Sequence, residues 1–163
     1  MIPQALLDDA AALLEECRAK QLKLATAEGC TGGLIAAVLT AIAGSSDVIE
    51  RGFVAYSNAA KSELLGVPPA LIAEFGTVSE PVARTMADGA LQNSHADIAV
   101  SVTGIVGPGG GSTEKPVGLV CFGLARRGLG PLSERQVLPG DRAAIRTKSV
   151  ERAFALIRSA LSQ

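Results

Sequence analysis

The stretch Leu22-Lys23-Leu24-Ala25-Thr26-Ala27-Glu28-Gly29-Cys30-Thr31-Gly32-Gly33 decides the architecture. Residues 22–28 form a short, largely apolar run closed by a glycine, which reads as a buried strand. From about residue 31 to residue 42 the chain becomes a small-residue apolar helix, ended by Gly44. A buried strand passing through a tight turn into a helix is the first half of a crossover unit. Such units build parallel strand pairs with helices packed on the sheet.

Reading outward, Leu6, Ala10, Leu13, Leu14 and Cys17 recur at helical spacing and predict an opening helix over about 4–20. A strand is expected from Ile49 to Tyr56, then a short helix capped by Ser57 or Asn58 and stopped at Gly66. Pro68-Pro69 opens another short helix, and Ser79 caps a longer one whose inward face is Val82, Ala83, Met86, Ala90 and Leu91. Residues 97–103 and 117–125 read as strands on either side of a glycine-rich loop over 104–116. After a turn at 126–131, residues 132–138 alternate polar and apolar like an edge strand. Asp141 caps a final helix that turns Ile145, Ala153, Phe154, Ile157 and Leu161 inward. The expected fold is α/β: a three-layer α/β/α sandwich around a mixed, mostly parallel sheet, in one domain over residues 1–163.

Composition agrees with a packed domain. Of the 163 residues 48% are apolar and only 19% charged, which excludes a disordered chain. Aromatics are 3%, so the core is built from Ala, Leu, Val and Ile. Net charge is −1 with no Lys/Arg stripe, so no nucleic-acid partner is expected. No run spans a bilayer and the first residues lack a signal-peptide pattern, so the expectation is a cytoplasmic protein without a membrane partner. Cys17, Cys30 and Cys121 are far apart, with neither a metal-binding nor a disulfide spacing. Cys17 and Cys121 read as small core residues. Cys30 opens a helix but has no partner base in the sequence.

Four segments carry polar chemistry. In Glu28-Gly29-Cys30-Thr31-Gly32-Gly33, glycines let a ligand approach the backbone and a helix start offers N–H groups to an anion, although a plain βα turn capped by Thr31 has the same pattern. In Thr103-Gly104-Ile105-Val106-Gly107-Pro108-Gly109-Gly110-Gly111-Ser112, glycines at a strand end suit a loop closing over a ligand. It is not a dinucleotide fingerprint, because Pro116 and a strand follow rather than a helix. Nor does Ser112-x-x-Lys115 sit on the helix that its spacing would need. Lys61 falls in the first turn of its helix and Arg142 in the first turn of another, both against the preference of the helix dipole for acids there. Lys61 could be a solvated surface lysine or, with a lowered pKa, a general base. Arg142 could pair with Asp141 or add a guanidinium to a phosphate site. The single histidine, His95, is placed for no serine–histidine triad.

Taken together the segments resemble the CinA C-terminal domain family, also called nicotinamide-nucleotide amidase. The matching runs are Thr26-Ala27-Glu28-x-Cys30-Thr31-Gly32-Gly33, Gly44-Ser45-Ser46, Arg51-Gly52-Phe53-Val54-x-Tyr56-Ser57-Asn58-x-Ala60-Lys61, Gly76-x-Val78-Ser79-Glu80, the segment Ala99 to Gly118, and Pro139-Gly140-Asp141-Arg142. The resemblance implies hydrolysis of nicotinamide mononucleotide to nicotinate mononucleotide and ammonia, in pyridine nucleotide salvage, through an acyl-enzyme and without a metal or cofactor. It implies Ser46 as nucleophile, Lys61 as its base and Tyr56 in support. It further implies that Thr103 and Arg142 support catalysis or substrate binding; the helix start at Thr31, Gly32 and Gly33 and the loop glycines Gly104, Gly107 and Gly110 are expected to add substrate contacts through their N–H groups. The alternative is a catalytically weak module that binds a nucleotide or a protein partner, linked to competence or DNA damage. One departure stands out: the family usually has serine where this chain has Gly29. Where that serine contacts ligand, its replacement by Gly29 is expected to make this chain slower or differently selective, while leaving a Ser46–Lys61 dyad in place. The family's N-terminal molybdopterin-binding-like domain is expected to be absent, with its activity, and a homodimer is expected.

Overall fold

The computed structural model describes all 163 residues. The elements are α1 (Gln4–Ala19), β1 (Leu24–Glu28), α2 (Leu34–Thr40), a 3₁₀ turn (Ser45–Asp47), β2 (Ile49–Val54), α3 (Asn58–Leu65), α4 (Pro69–Phe75), α5 (Glu80–Gln92), β3 (Ile98–Gly104), β4 (Leu119–Arg126), β5 (Leu132–Val137) and α6 (Arg142–Leu161). The strands form one sheet in the order β2-β1-β3-β4-β5. β1 pairs in parallel with β2 and β3, while β4 lies antiparallel between β3 and β5. Only β4 therefore runs against the other four strands, which is the mixed, mostly parallel sheet expected from the two early crossovers and the late hairpin.

Side-chain size separates the two faces of the sheet. Leu24, Ile98, Val100, Val102, Val120, Phe122 and Leu124 point to one side and pack with α1, α2 and α6. Ala25, Ala27, Ala99 and Ala125 point to the other and pack with Val82, Met86 and Ala90 of α5 and Leu65 of α3. Strand alternation produces this split, and the small residues draw α5 close. Ser101 Oγ donates to the Ala83 carbonyl at 2.6 Å, and a Cβ on Gly123 would stand 2.1 Å from that same oxygen. Helix α5 in turn touches α3 through Gly89, where a Cβ would lie 1.9 Å from the Leu65 carbonyl oxygen.

Strand direction sets where function can sit. β1, β2, β3 and β5 all end on one edge of the sheet, and the segments that leave them run together there. They are residues 29–33 after β1, 55–57 after β2, 105–118 after β3, and 138–141 leading into α6. The carboxyl ends of parallel strands are the usual place for a ligand crevice in an α/β sheet. No helix is long and apolar enough to cross a membrane.

The close seat of α5 gives a stability test. Gly89→Ala drives a methyl into backbone and is expected to destabilise the fold by about 3 kcal/mol or more, read as a lowered denaturation midpoint. A loss below about 1 kcal/mol would contradict the close approach of α5 to α3.

Candidate functional site

At the carboxyl edge lies a cleft of about 290 Å³. Its floor is Gly29, Cys30 and Thr103, one wall is Tyr56 and Lys61, and the glycine loop with Arg142 closes the other side. A second hollow of about 560 Å³ adjoins it, sharing Val106 and Arg142 and adding Arg146. Two of the expected catalytic residues, Lys61 and Tyr56, thus line one space with Thr103, Gly104, Gly107, Gly110 and Arg142.

Lys61 is set by the start of α3. Ser57 Oγ accepts from the Ala60 N–H at 3.0 Å, so Ser57 is the cap and Lys61 falls in the first turn. Its side chain turns inward and is only 3% exposed. The amine has one protein partner, the Tyr56 carbonyl at 3.3 Å, and takes part in no ion pair. Burial therefore pulls the Lys61 ammonium below the ordinary lysine range; the nearby Cys30 sulfur acts weakly the other way. An amine that gives up its proton more readily than an ordinary lysine is a candidate base. Tyr56 is largely exposed beside it.

Cys30 shares this floor, yet burial pushes its thiol up to about 12. At neutral pH it stays protonated, so it is a poor nucleophile. Thr103 Oγ1 donates to the Thr77 carbonyl at 2.8 Å. Thr77 also lines the cleft, and its own Oγ1 is buried without a protein partner. Sequence reading missed Thr77; the only signal was its place between the Gly76 turn and the Ser79 cap.

Two expectations need correction. Ser46 is not beside Lys61. It lies on the 3₁₀ turn that precedes β2, exposed, whereas Lys61 follows the other end of that strand. Its neighbour Asp47 pairs with Arg18 at 2.6 Å, and Lys23, which precedes β1, donates to the Asp47 carbonyl at 3.1 Å. Roughly 16 Å of strand, at about 3.3 Å per residue, separates the two edges, so no Ser46–Lys61 dyad forms within one subunit. The residue that does face the lysine is Gly29, where a Cβ would stand 3.8 Å from Lys61 Nζ.

The second correction concerns Thr31, Gly32 and Gly33. The expected anion site at the start of α2 is already occupied by the chain's own carboxylate. Buried Glu28 accepts from Thr31 Oγ1 at 2.6 Å and from the Ile35 and Ala36 N–H groups at 2.8 and 3.1 Å. This internal cap shifts the helix start to Leu34. Gly32 and Gly33, at φ +57° and +99°, turn the chain around the carboxylate and do not line the cleft. Thr31 is fully buried, and a second anion there would meet Glu28.

Positive charge comes instead from α6. Arg142 Nη1 donates to the Gly107 carbonyl at 2.8 Å, and Arg146 Nη2 to the Thr31 carbonyl at 2.9 Å. Neither is held in an ion pair, and Asp141 caps the helix through the Ala144 N–H at 2.9 Å rather than pairing with Arg142. Lys115 is spent elsewhere, donating to the Phe75 carbonyl at 2.6 Å, and Ser112 caps its own loop turn. His95 is exposed at the opposite edge, following α5.

Fold and cleft define a class: an α/β/α domain with a crevice beyond the carboxyl ends of its strands, holding a buried lysine and facing arginines. Within that class the chain belongs to the CinA C-terminal domain family, which matches residues 8–161. A CinA-like protein of Mycolicibacterium vanbaalenii is 53% identical over 158 residues, covering 97% of this chain and 36% of that protein. One from Mycobacterium leprae is 55% identical over 141 residues, covering 86% of this chain and 33% of the relative. The chain thus spans about a third of the length of these relatives. Among solved structures, the competence/damage inducible protein CihA of Agrobacterium tumefaciens superposes with a TM-score of 0.94 at 44% identity, covering 100% of this chain and 99% of that one. The competence damage-inducible protein A (ComA) of Klebsiella pneumoniae gives 0.92 at 34%, covering 97% and 98%.

Burial of the amine has a measurable sign. The unfolded chain holds a proton on Lys61 up to the ordinary lysine range, whereas the folded chain releases it at lower pH. The folding penalty is therefore greatest below the folded-state pKa and is relieved as pH rises toward the unfolded value. Lys61→Met should be at least as stable as the parent at pH 7, with the gap narrowing at alkaline pH. A variant less stable at neutral pH would contradict the desolvated amine.

Proposed function

We propose that this chain binds nicotinamide mononucleotide in the cleft and hydrolyses its carboxamide, giving nicotinate mononucleotide and ammonia. The observation that carries the reading is one cleft holding the buried, uncharged-leaning amine of Lys61 and the unpaired guanidinium of Arg142. A phosphorylated carboxamide matches both features. Its phosphate is drawn to Arg142, with Arg146 in the adjoining hollow, and its amide is directed to the lysine.

In this reading Lys61 removes a proton from the attacking oxygen and returns it to the leaving nitrogen. Tyr56 and the Thr77 hydroxyl are at hand to bind the carboxamide, while Thr103 steadies the floor through its bond to the Thr77 carbonyl. Ser46 has no part in the subunit's own cleft. A second reading, nucleotide binding without turnover, is favoured by one observation: Gly29 offers no hydroxyl at the point nearest Lys61.

Ammonia release from nicotinamide mononucleotide tests the first reading. Lys61→Met should lower the rate by about 10²-fold or more, Ser46→Ala should leave it within about twofold, and Arg142→Gln should weaken the nucleotide but not the unphosphorylated nucleoside. The parent rate should rise with pH through a group titrating below the ordinary lysine range. An active parent indifferent to Lys61→Met, or one abolished by Ser46→Ala, would contradict this assignment. Saturable binding with no ammonia would establish the second reading instead.

A further inference from the structure

Position 29 is the closest approach of the βα turn to the buried amine. A Cβ built there would stand 3.8 Å from both Cε and Nζ of Lys61 and 3.2 Å from the Val102 carbonyl oxygen. The Gly29 N–H is donated to that same carbonyl at 2.8 Å, which fixes the turn against β3. Backbone geometry does not demand a glycine here: the chain's positive-φ glycines include Gly32 and Gly33 but not Gly29. A Cβ there would already press on the Val102 carbonyl, so the open side of position 29 is toward Lys61 and the cleft, among polar atoms. They are the lysine amine on one side and the Val102 carbonyl on the other, in a cleft that also carries the unpartnered Thr77 hydroxyl. The cleft of about 290 Å³ that Gly29 lines with these polar partners can hold an ordered water.

We propose that the nucleophile of this chain is a water molecule held in the space at Gly29 by Lys61, so that the carboxamide is hydrolysed without a covalent acyl-enzyme. The proposal rests on the amidase reading above and specifies its attacking group. The water oxygen forms the new C–O bond while its proton passes to Lys61 Nζ. The tetrahedral adduct then collapses, the C–N bond breaks, and Lys61 returns the proton to the departing nitrogen. Ammonia and the carboxylic acid leave, and the acid ionises in solvent. Ser46 is at the other sheet edge and the Thr103 hydroxyl donates to a backbone carbonyl, while Tyr56 and the Thr77 hydroxyl line the cleft as carboxamide ligands in this reading.

Two substitutions at one position test this. Gly29→Ala fills the space without adding a hydroxyl and should lower ammonia release from nicotinamide mononucleotide by about tenfold or more, at an unchanged melting temperature within a few degrees. Gly29→Ser supplies an oxygen within reach of Lys61. It should yield a burst of ammonia and an acyl-nucleotide mass on the peptide carrying residue 29, whereas the quenched parent carries no adduct. An adduct on any residue of the parent, full activity in Gly29→Ala, or turnover in Gly29→Ser from an inactive parent would each overturn the water nucleophile while leaving the amidase cleft standing. If parent and Gly29→Ser both bind the nucleotide and neither releases ammonia, the amidase reading fails and the water nucleophile with it. A Gly29→Ser chain that does not fold leaves the decision to Gly29→Ala and to the parent's mass.

Discussion

The site depends on an amine buried without a counter-ion. Taking an ammonium out of water is costly unless an acid meets it, and Lys61 meets only a peptide carbonyl. The one fully buried carboxylate nearby, Glu28, is turned the other way and held by Thr31 and the first N–H groups of α2. That separation matters. Were Glu28 free to pair with Lys61, the lysine would be a salt-bridged cation and its basicity would be lost to the cleft. The internal cap of α2 and the lowered pKa of Lys61 are therefore two consequences of one arrangement at the end of β1.

Charge is then divided along the cleft. At the Gly29 end the surroundings favour a neutral amine; at the α6 end two arginines lie outside any ion pair beside backbone carbonyls. A ligand with an uncharged reacting group and an anionic tail can satisfy both ends at once. The sheet makes this possible, because β1, β2, β3 and β5 release their loops on the same edge and the glycine loop after β3 lets its backbone come close to α6.

Much of this was legible in the chain. Periodicity, together with caps, glycine stops and the Pro68-Pro69 start, located the helices and strands, since a core of Ala, Val, Leu and Ile leaves a clean pattern on the longer elements. Lys61 and Arg142 were found because each sits in a helix's first turn, where a cation is unfavourable without another purpose. The misses have equally physical causes. Ser46 was carried over from a motif, and a motif gives residue type without position; strand polarity gives the position, because a residue before a parallel strand and one after it lie on opposite edges. Thr31-Gly32-Gly33 looked like a free helix start because the rule counts orphan N–H groups but does not foresee a carboxylate three residues upstream folding back to take them. Thr77 carried no pattern, since an orphan hydroxyl becomes visible only when its partners can be searched in space.

The protonation state of Lys61 decides what this cleft can do. Titration of the five lysine side-chain nitrogens by nitrogen-15 magnetic resonance reads it without reference to any substrate. One resonance, absent from Lys61→Met, should titrate clearly below the other four. Five lysines titrating together in the ordinary range would show a solvated ammonium at position 61 and contradict the desolvated base proposed for the cleft.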